Sequence, residues 1–119
     1  MPWKVVFVPE FAQEFRSLGS KVQDELLARI DLLAQVGPML GRPYVDTLAG
    51  SRIKNLKEFR FDAAGGVWRF AFAFDLERRA IVLTGGSKTG RASRLFYDKL
   101  IREAERRFEH WLAEQERPQ

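Results

Sequence analysis

An α+β fold is what this sequence predicts: an N-terminal strand, a two-helix hairpin, an antiparallel three-strand meander forming a small sheet, and a C-terminal helix. Apolar residues recur at helical spacing in the first third of the chain and again near its end. Between them, three runs rich in Phe, Val and Ile are separated by intervals of hairpin length. A chain of 119 residues, 45% hydrophobic and 13% aromatic, can close one core and leaves little room for a second, so residues 1–119 are read as one domain.

The elements follow in order. Trp3 to Val8 is a short apolar run ended by Pro9, whose fixed φ suits the first turn of a helix and pushes its predecessor towards extended geometry. Phe11, Phe15 and Leu18 then recur at helical spacing until Gly19-Ser20 breaks them, and Val22, Leu26, Ile30 and Leu33 form a second stripe. Gly37-Pro38 and Gly41-Arg42-Pro43 stop that helix and open a surface loop running to about residue 50. Segments 53–61, 67–74 and 80–86 are the meander, turning at residues 62–66 and 75–79. After the glycine-rich stretch 85–90, Ser93 is the expected N-cap of a long helix with Phe96, Leu100, Ala104, Phe108 and Trp111 on one face. Residues 113–119 are polar and expected to fray.

Twenty Lys and Arg against sixteen Asp and Glu give a net charge of +4 and a pI near 9.8, which favours an anionic partner. The absence of cysteine rules out a disulfide framework, a thiolate zinc site and a cysteine nucleophile. The single histidine, His110, sits near the end of the last helix and is read as solvent-facing or as a partner of the helix C-terminal dipole, outside any catalytic role. With it alone and no clustered carboxylates, neither a metal nor another cofactor is expected, and no Ser-His-Asp or GxSxG pattern is present. The N-terminal apolar run is too short for a signal segment and nothing approaches a membrane span, so the expectation is a cytoplasmic protein without a membrane partner.

The placement of charge is more informative than its sum. Alternation puts Trp68, Phe70, Phe72 and Phe74 on one face of their strand, the face the helices are expected to cover, and Arg69, Ala71 and Ala73 on the other. Symmetric pairing about the preceding turn sets Arg60 opposite Arg69, Phe61 opposite Trp68 and Phe59 opposite Phe70. Facing arginines repel unless an anion lies between them, and a phosphate would serve. Glu58, two residues from Arg60, could instead form an ordinary exposed ion pair. The stretch from Gly85 through Lys88 to Arg91 precedes a helix and so suits anions, although it lacks the spacing of a nucleotide-binding P-loop. Arg94 and Tyr97 are three apart on that helix, and Tyr97 could stack on a base, donate a proton, or simply close the core edge beside Phe96.

Leu56-Lys57-Glu58-Phe59-Arg60-Phe61, Val67-Trp68-Arg69-Phe70-Ala71-Phe72, Leu83-Thr84-Gly85-Gly86-Ser87-Lys88 and Phe96-Tyr97, in this element order, resemble the motif series of the RelE/ParE toxin superfamily, in particular its phage-derived HigB-type branch. The resemblance covers nearly the whole chain. It implies a RelE-like fold and a toxin that cuts mRNA in the ribosomal A site, restrained by a cognate antitoxin, often of helix-turn-helix type. By the same resemblance Arg69 matches the central-strand arginine, Lys88 the basic residue ending the next strand, Tyr97 the aromatic after it, and Lys57 and Arg60 the basic strand before. Glu58 departs from the RelE pattern, Arg94 rivals Tyr97, and the histidines of some HigB enzymes are missing.

Cleavage of RNA by its own 2′-hydroxyl needs a base, cations on the phosphate and an acid for the leaving oxygen. Arg69 and Arg60 are the expected phosphate holders, Lys88 stabilises the transition state or the leaving oxygen, Tyr97 stacks on or orients a base, and Glu58 or Lys57 is the general base. Lys54, Arg91 and Arg94 extend the RNA-binding surface. The scaffold also leaves open a ParE-like inhibitor of DNA gyrase, or a degenerate toxin that only binds antitoxin or RNA.

Overall fold

Val8, in extended conformation, ends strand β1 (Lys4–Phe7) and hands the chain to Pro9, the first residue of helix α1 (Pro9–Arg16). The computed structural model describes residues 2–90 and 92–117. Helix α2 (Ser20–Val36) follows and ends at Gly37, whose φ of 76° closes the helix; a Cβ there would also meet the Trp3 indole at 2.5 Å. After a single 3₁₀ turn come strands β2 (Val45–Thr47), β3 (Lys57–Ala63), β4 (Gly66–Phe74) and β5 (Arg79–Ser87), and then helix α3 (Ser93–Gln115). The strands form one five-stranded sheet in the order β1-β5-β4-β3-β2. Among the described residues the β1–β5 pair is parallel and the other pairs are antiparallel.

The expected meander is β3-β4-β5, and its first hairpin has the register read from the sequence: Arg60 faces Arg69, Phe61 faces Trp68 and Phe59 faces Phe70. The turn is two residues, Ala64 and Gly65, both at positive φ (52° and 75°), as hairpins with right-handed strand twist require. Two expectations are corrected. The connection 37–50 is not wholly loop, because Val45–Thr47 pairs with Lys57–Phe59 and buries Val45 to 1% exposure. The first meander strand begins at Lys57 rather than residue 53, since residues 53–56 turn through Asn55 at φ 61°.

Both faces of the sheet are covered, where the sequence reading assigned the helices to the aromatic one. On that face, α1 sets Phe11 against Phe70, while Phe59 stacks on Phe72 at 4.4 Å and Phe61 on Phe70 at 5.7 Å. Burying each such ring is worth roughly 1.5–3 kcal/mol. On the other face Ala71 and Ala73 are small and fully buried, and α3 lies across β4 and β5 with Phe96, Leu100, Ala104 and Phe108 turned inward. Ala92 rather than Ser93 caps α3, with no side-chain bond. Among the described residues, no helix is long and apolar enough to cross a membrane.

Candidate functional site

The polar part of the sheet lies on the α3 face, where β2, β3 and β4 present alternate residues to the start of α3. Glu58 and Arg60 are two apart on β3 and share that face. Register then places Asp46 and Ala71 on either side of Glu58, and Arg69 beside Arg60. Phe96 is buried in the core, which fixes the rotation of α3 and brings Tyr97 to the rim of this cluster.

The contacts form a connected network. The Tyr97 hydroxyl donates to Glu58 Oε2 at 3.3 Å and accepts from Arg69 Nε at 3.3 Å. Arg69 also donates through a terminal nitrogen to the Trp68 carbonyl at 2.8 Å. Arg60 donates to Asp46 Oδ2 at 3.0 Å and lies 3.6 Å from Glu58 Oε2. Asp46 is held in turn by Arg42 at 2.7 Å and by the Thr47 amide at 2.8 Å. Lys88 Nζ sits 5.6 Å from the centre of the Tyr97 ring.

Burial sorts these groups. Glu58 is only 3% exposed, so the ordinary exposed ion pair is not what this residue makes. Desolvation raises its carboxyl above the usual carboxylate range, against the opposing pull of the Tyr97 hydrogen bond and the charges of Arg60 and Arg69. Its second oxygen, Oε1, is buried and has no hydrogen-bond partner among the described residues. Burial and the nearby Glu58 charge also push the Tyr97 phenol up, so it stays protonated at neutral pH. Asp46 is held low, chiefly by its hydrogen bond to Arg42, and stays ionised. The Arg60 side chain remains 29% exposed whereas that of Arg69 is 9% exposed, so Arg60 is the cation more available to a ligand and Arg69 the one set into the framework.

The candidates read from the sequence therefore separate. Arg60, Arg69, Glu58, Tyr97 and Lys88 are brought together. Lys57 alternates to the opposite face, in register with Phe72. Lys54 is exposed in a turn whose neighbour Arg52 pairs with Glu105 and Glu109, eight or more residues along α3 from Tyr97, a displacement of about 12 Å. Arg94 is exposed one turn before Tyr97, and Arg91 lies outside the described residues. His110 is solvent-facing, as expected, 3.9 Å from Glu114. The two strand glycines differ in purpose. A Cβ on Gly85 would strike Phe70 Cδ1 at 2.1 Å, so packing explains that glycine. Gly86, paired with Arg69, has nothing within 4 Å of where its Cβ would stand and leaves open space at that register position.

Asp46 and Arg42 were not among the sequence candidates. A three-residue edge strand flanked by turn residues carries no alternation to read, so nothing in the sequence placed Asp46 opposite Glu58. The chemical capacity of the cluster is anion binding by two guanidiniums and an ammonium, next to a neutral phenol hydrogen-bonded to a buried carboxyl group.

The family model described as phage-derived protein Gp49-like matches residues 13–109. Two Mycobacterium tuberculosis proteins named as candidate toxins are similar. HigB3 is 42% identical over 109 residues, 92% of this chain and 93% of its own length. HigB2 is 42% identical over 98 residues, 82% of this chain, which spans about half of that longer protein, 48%. Among solved structures, a doubly substituted E. coli toxin RelE in the free state superposes with a TM-score of 0.62 at 18% identity, over 90% of this chain and 98% of that one. A chain of the archaeal RelE–RelB complex from Pyrococcus horikoshii OT3 gives 0.57 at 20% identity, over 77% of this chain and all of that one. At these identities the structural likeness speaks to the fold.

Proposed function

Because the chain belongs to the phage-derived Gp49-like family, we propose that this toxin of the HigB/RelE type is a metal-independent endoribonuclease that cuts mRNA on the ribosome. The observation that carries the reading is the convergence of Tyr97, Arg69 and Glu58, with Arg60 and Lys88 beside them.

In the proposed reaction the scissile phosphate displaces Asp46 from Arg60 and is held between Arg60 and Arg69. The 2′-oxygen forms a bond to phosphorus as the bond from phosphorus to the 5′-oxygen breaks. The 2′-proton passes to the Tyr97 oxygen while the phenol proton passes to Glu58, so Tyr97 is never left as a phenolate. Glu58 is too buried to touch substrate and acts through Tyr97. Lys88 donates a proton to the departing 5′-oxygen, and the guanidiniums carry the charge gathering on the phosphoryl oxygens. Lys57, on the other face of the sheet, has no place in this scheme.

The partners follow from the same reading: mRNA and the ribosome as target, the cytoplasm as the place where both are met, and a cognate antitoxin, for which the RelE–RelB complex is the structural precedent. A helix-turn-helix domain in that antitoxin is the expected form. The termini of the products test the chemistry. New 5′ ends should be hydroxyls, accepting phosphate from polynucleotide kinase without phosphatase treatment, with 2′,3′-cyclic phosphates on the opposing ends. New 5′ phosphates would overturn the mechanism.

A further inference from the structure

β2 covers the edge of β3 only as far as Phe59, and Tyr44 takes the next amide through its carbonyl. Beyond that point a shallow hollow of ≈ 270 Å³ opens around the strand edge, lined by Arg29, Pro43, Tyr44, Arg60, Phe61 and Arg69 among others. Two of these are the arginines assigned to the phosphate. The third cation, Arg29, reaches in from α2, its guanidinium 5.6 Å from the centre of the Tyr44 ring and 5.5 Å from that of Phe61. Phe61 is buried, whereas Tyr44 is 40% exposed, so Tyr44 is the aromatic ring of this hollow with surface to spare.

We propose that Tyr44 is a nucleobase-stacking platform, backed by Arg29, for a base of the single-stranded RNA whose phosphate lies on Arg60 and Arg69. The proposal rests on the ribonuclease reading and adds a substrate subsite to it. An exposed aromatic among cations is the arrangement that holds unpaired bases, the ring taking the base face while the cations track the backbone. Arg29 strengthens the platform in two ways. Among the described residues it pairs with Glu25 alone, at 3.0 Å, and its Nε is buried and unpartnered, so the guanidinium is retained against the ring by packing and cation–π attraction. Pressed on Tyr44, it also limits the rotamers the ring can reach, which lowers the entropy lost when a base stacks. Asp62 on the rim of the same hollow repels phosphate, which suits that end to a base rather than to the backbone.

The test uses the full chain in a bacterial translation extract with one reporter mRNA, cut sites and rates being read at nucleotide resolution. Tyr44→Ala should cut about tenfold more slowly and with an altered distribution of sites, Tyr44→Leu should do the same while still covering Arg29, and Tyr44→Phe should restore the wild-type pattern. Thermal melts establish that each variant is folded; if Tyr44→Ala is not, Tyr44→Leu decides. Wild-type rate and sites in a folded Tyr44→Leu protein would overturn the subsite while leaving the ribonuclease reading intact. Absence of cutting by the wild-type protein would overturn both.

Discussion

Arg60 and Arg69 stand directly opposite one another on adjacent strands, and each guanidinium is bound to a group of the protein itself: Arg60 to Asp46, Arg69 to Tyr97. The repulsion expected of such a pair is thus met internally, with Glu58 lying 3.6 Å from one arginine and 4.0 Å from the other. A phosphate would replace the Asp46 carboxylate on Arg60, the more exposed of the two, without any need to reach Glu58.

Glu58 makes the cluster sensitive to pH in two separable ways. Its carboxyl is raised by burial, so the ionised form is the costly one in the folded protein. A raised acid contributes stability that is complete below the ordinary carboxylate range and is lost as pH rises through the higher folded value. The melting temperature of Glu58→Gln relative to wild type should therefore climb as the pH rises from the ordinary carboxylate range through the raised folded value. Cleavage by the wild-type protein should fall on acidification as Glu58 takes up its proton, and Glu58→Gln should be slow with no such limb in its pH–rate profile. A Gln variant with the wild-type profile would remove Glu58 from the proton path.

Tyr97→Phe keeps the ring beside Phe96 and under Lys88 but removes the hydroxyl that joins Arg69 to Glu58. Single-turnover cleavage should drop by about 10²-fold or more, the usual scale for losing proton transfer, and the buried Glu58 oxygen left without its donor should cost about 1–3 kcal/mol of stability, so both proteins are compared under conditions where each is folded. Equal losses in Tyr97→Phe and Glu58→Gln, with no further loss in the double variant, would mark the two as one path.

The sheet register was legible from the sequence because Trp68-Arg69-Phe70-Ala71-Phe72 alternates strictly and Ala64-Gly65 permits only a tight turn, which together set Arg60 against Arg69. The same alternation separates Lys57 from Glu58, and applying it to β3 as firmly as to β4 removes Lys57 from the list of bases. The covering of the second face was harder to read. Ala71 and Ala73 look like an unremarkable exposed row until a helix is laid on them, and nothing local announces which face α3 takes. Glu58 looked exposed because a glutamate in a strand usually is; its burial depends on Tyr97, thirty-nine residues away.

Buried charge on α3 was equally hidden. Arg107 is 5% exposed and donates to the Leu83 carbonyl at 2.8 Å and to Glu14 of α1 at 2.6 Å. The β4–β5 register skips Leu83, so its carbonyl needs this partner. Arg107→Met should destabilise the protein by about 1–3 kcal/mol in urea unfolding by leaving that carbonyl unsatisfied, yet cut RNA normally in the folded state. Lost cutting at full stability would contradict the division between framework and site.

Ala64 holds a φ of 52°, where its Cβ crowds the backbone. Ala64→Gly should stabilise by about 0.5–1 kcal/mol, the relief of strain exceeding the added flexibility of the unfolded chain. A lowered urea midpoint would mean that the turn is less strained than its dihedral angle states.

Mapping of mRNA 5′ ends in cells shortly after induction, comparing wild type with Arg69→Ala and Lys88→Ala, tests the central claim most directly. Ribosome-dependent cleavage predicts new ends phased to the reading frame of translated messages, lost in both variants. Growth arrest without new ends, undiminished in those variants, would contradict the ribonuclease reading and point to a different target.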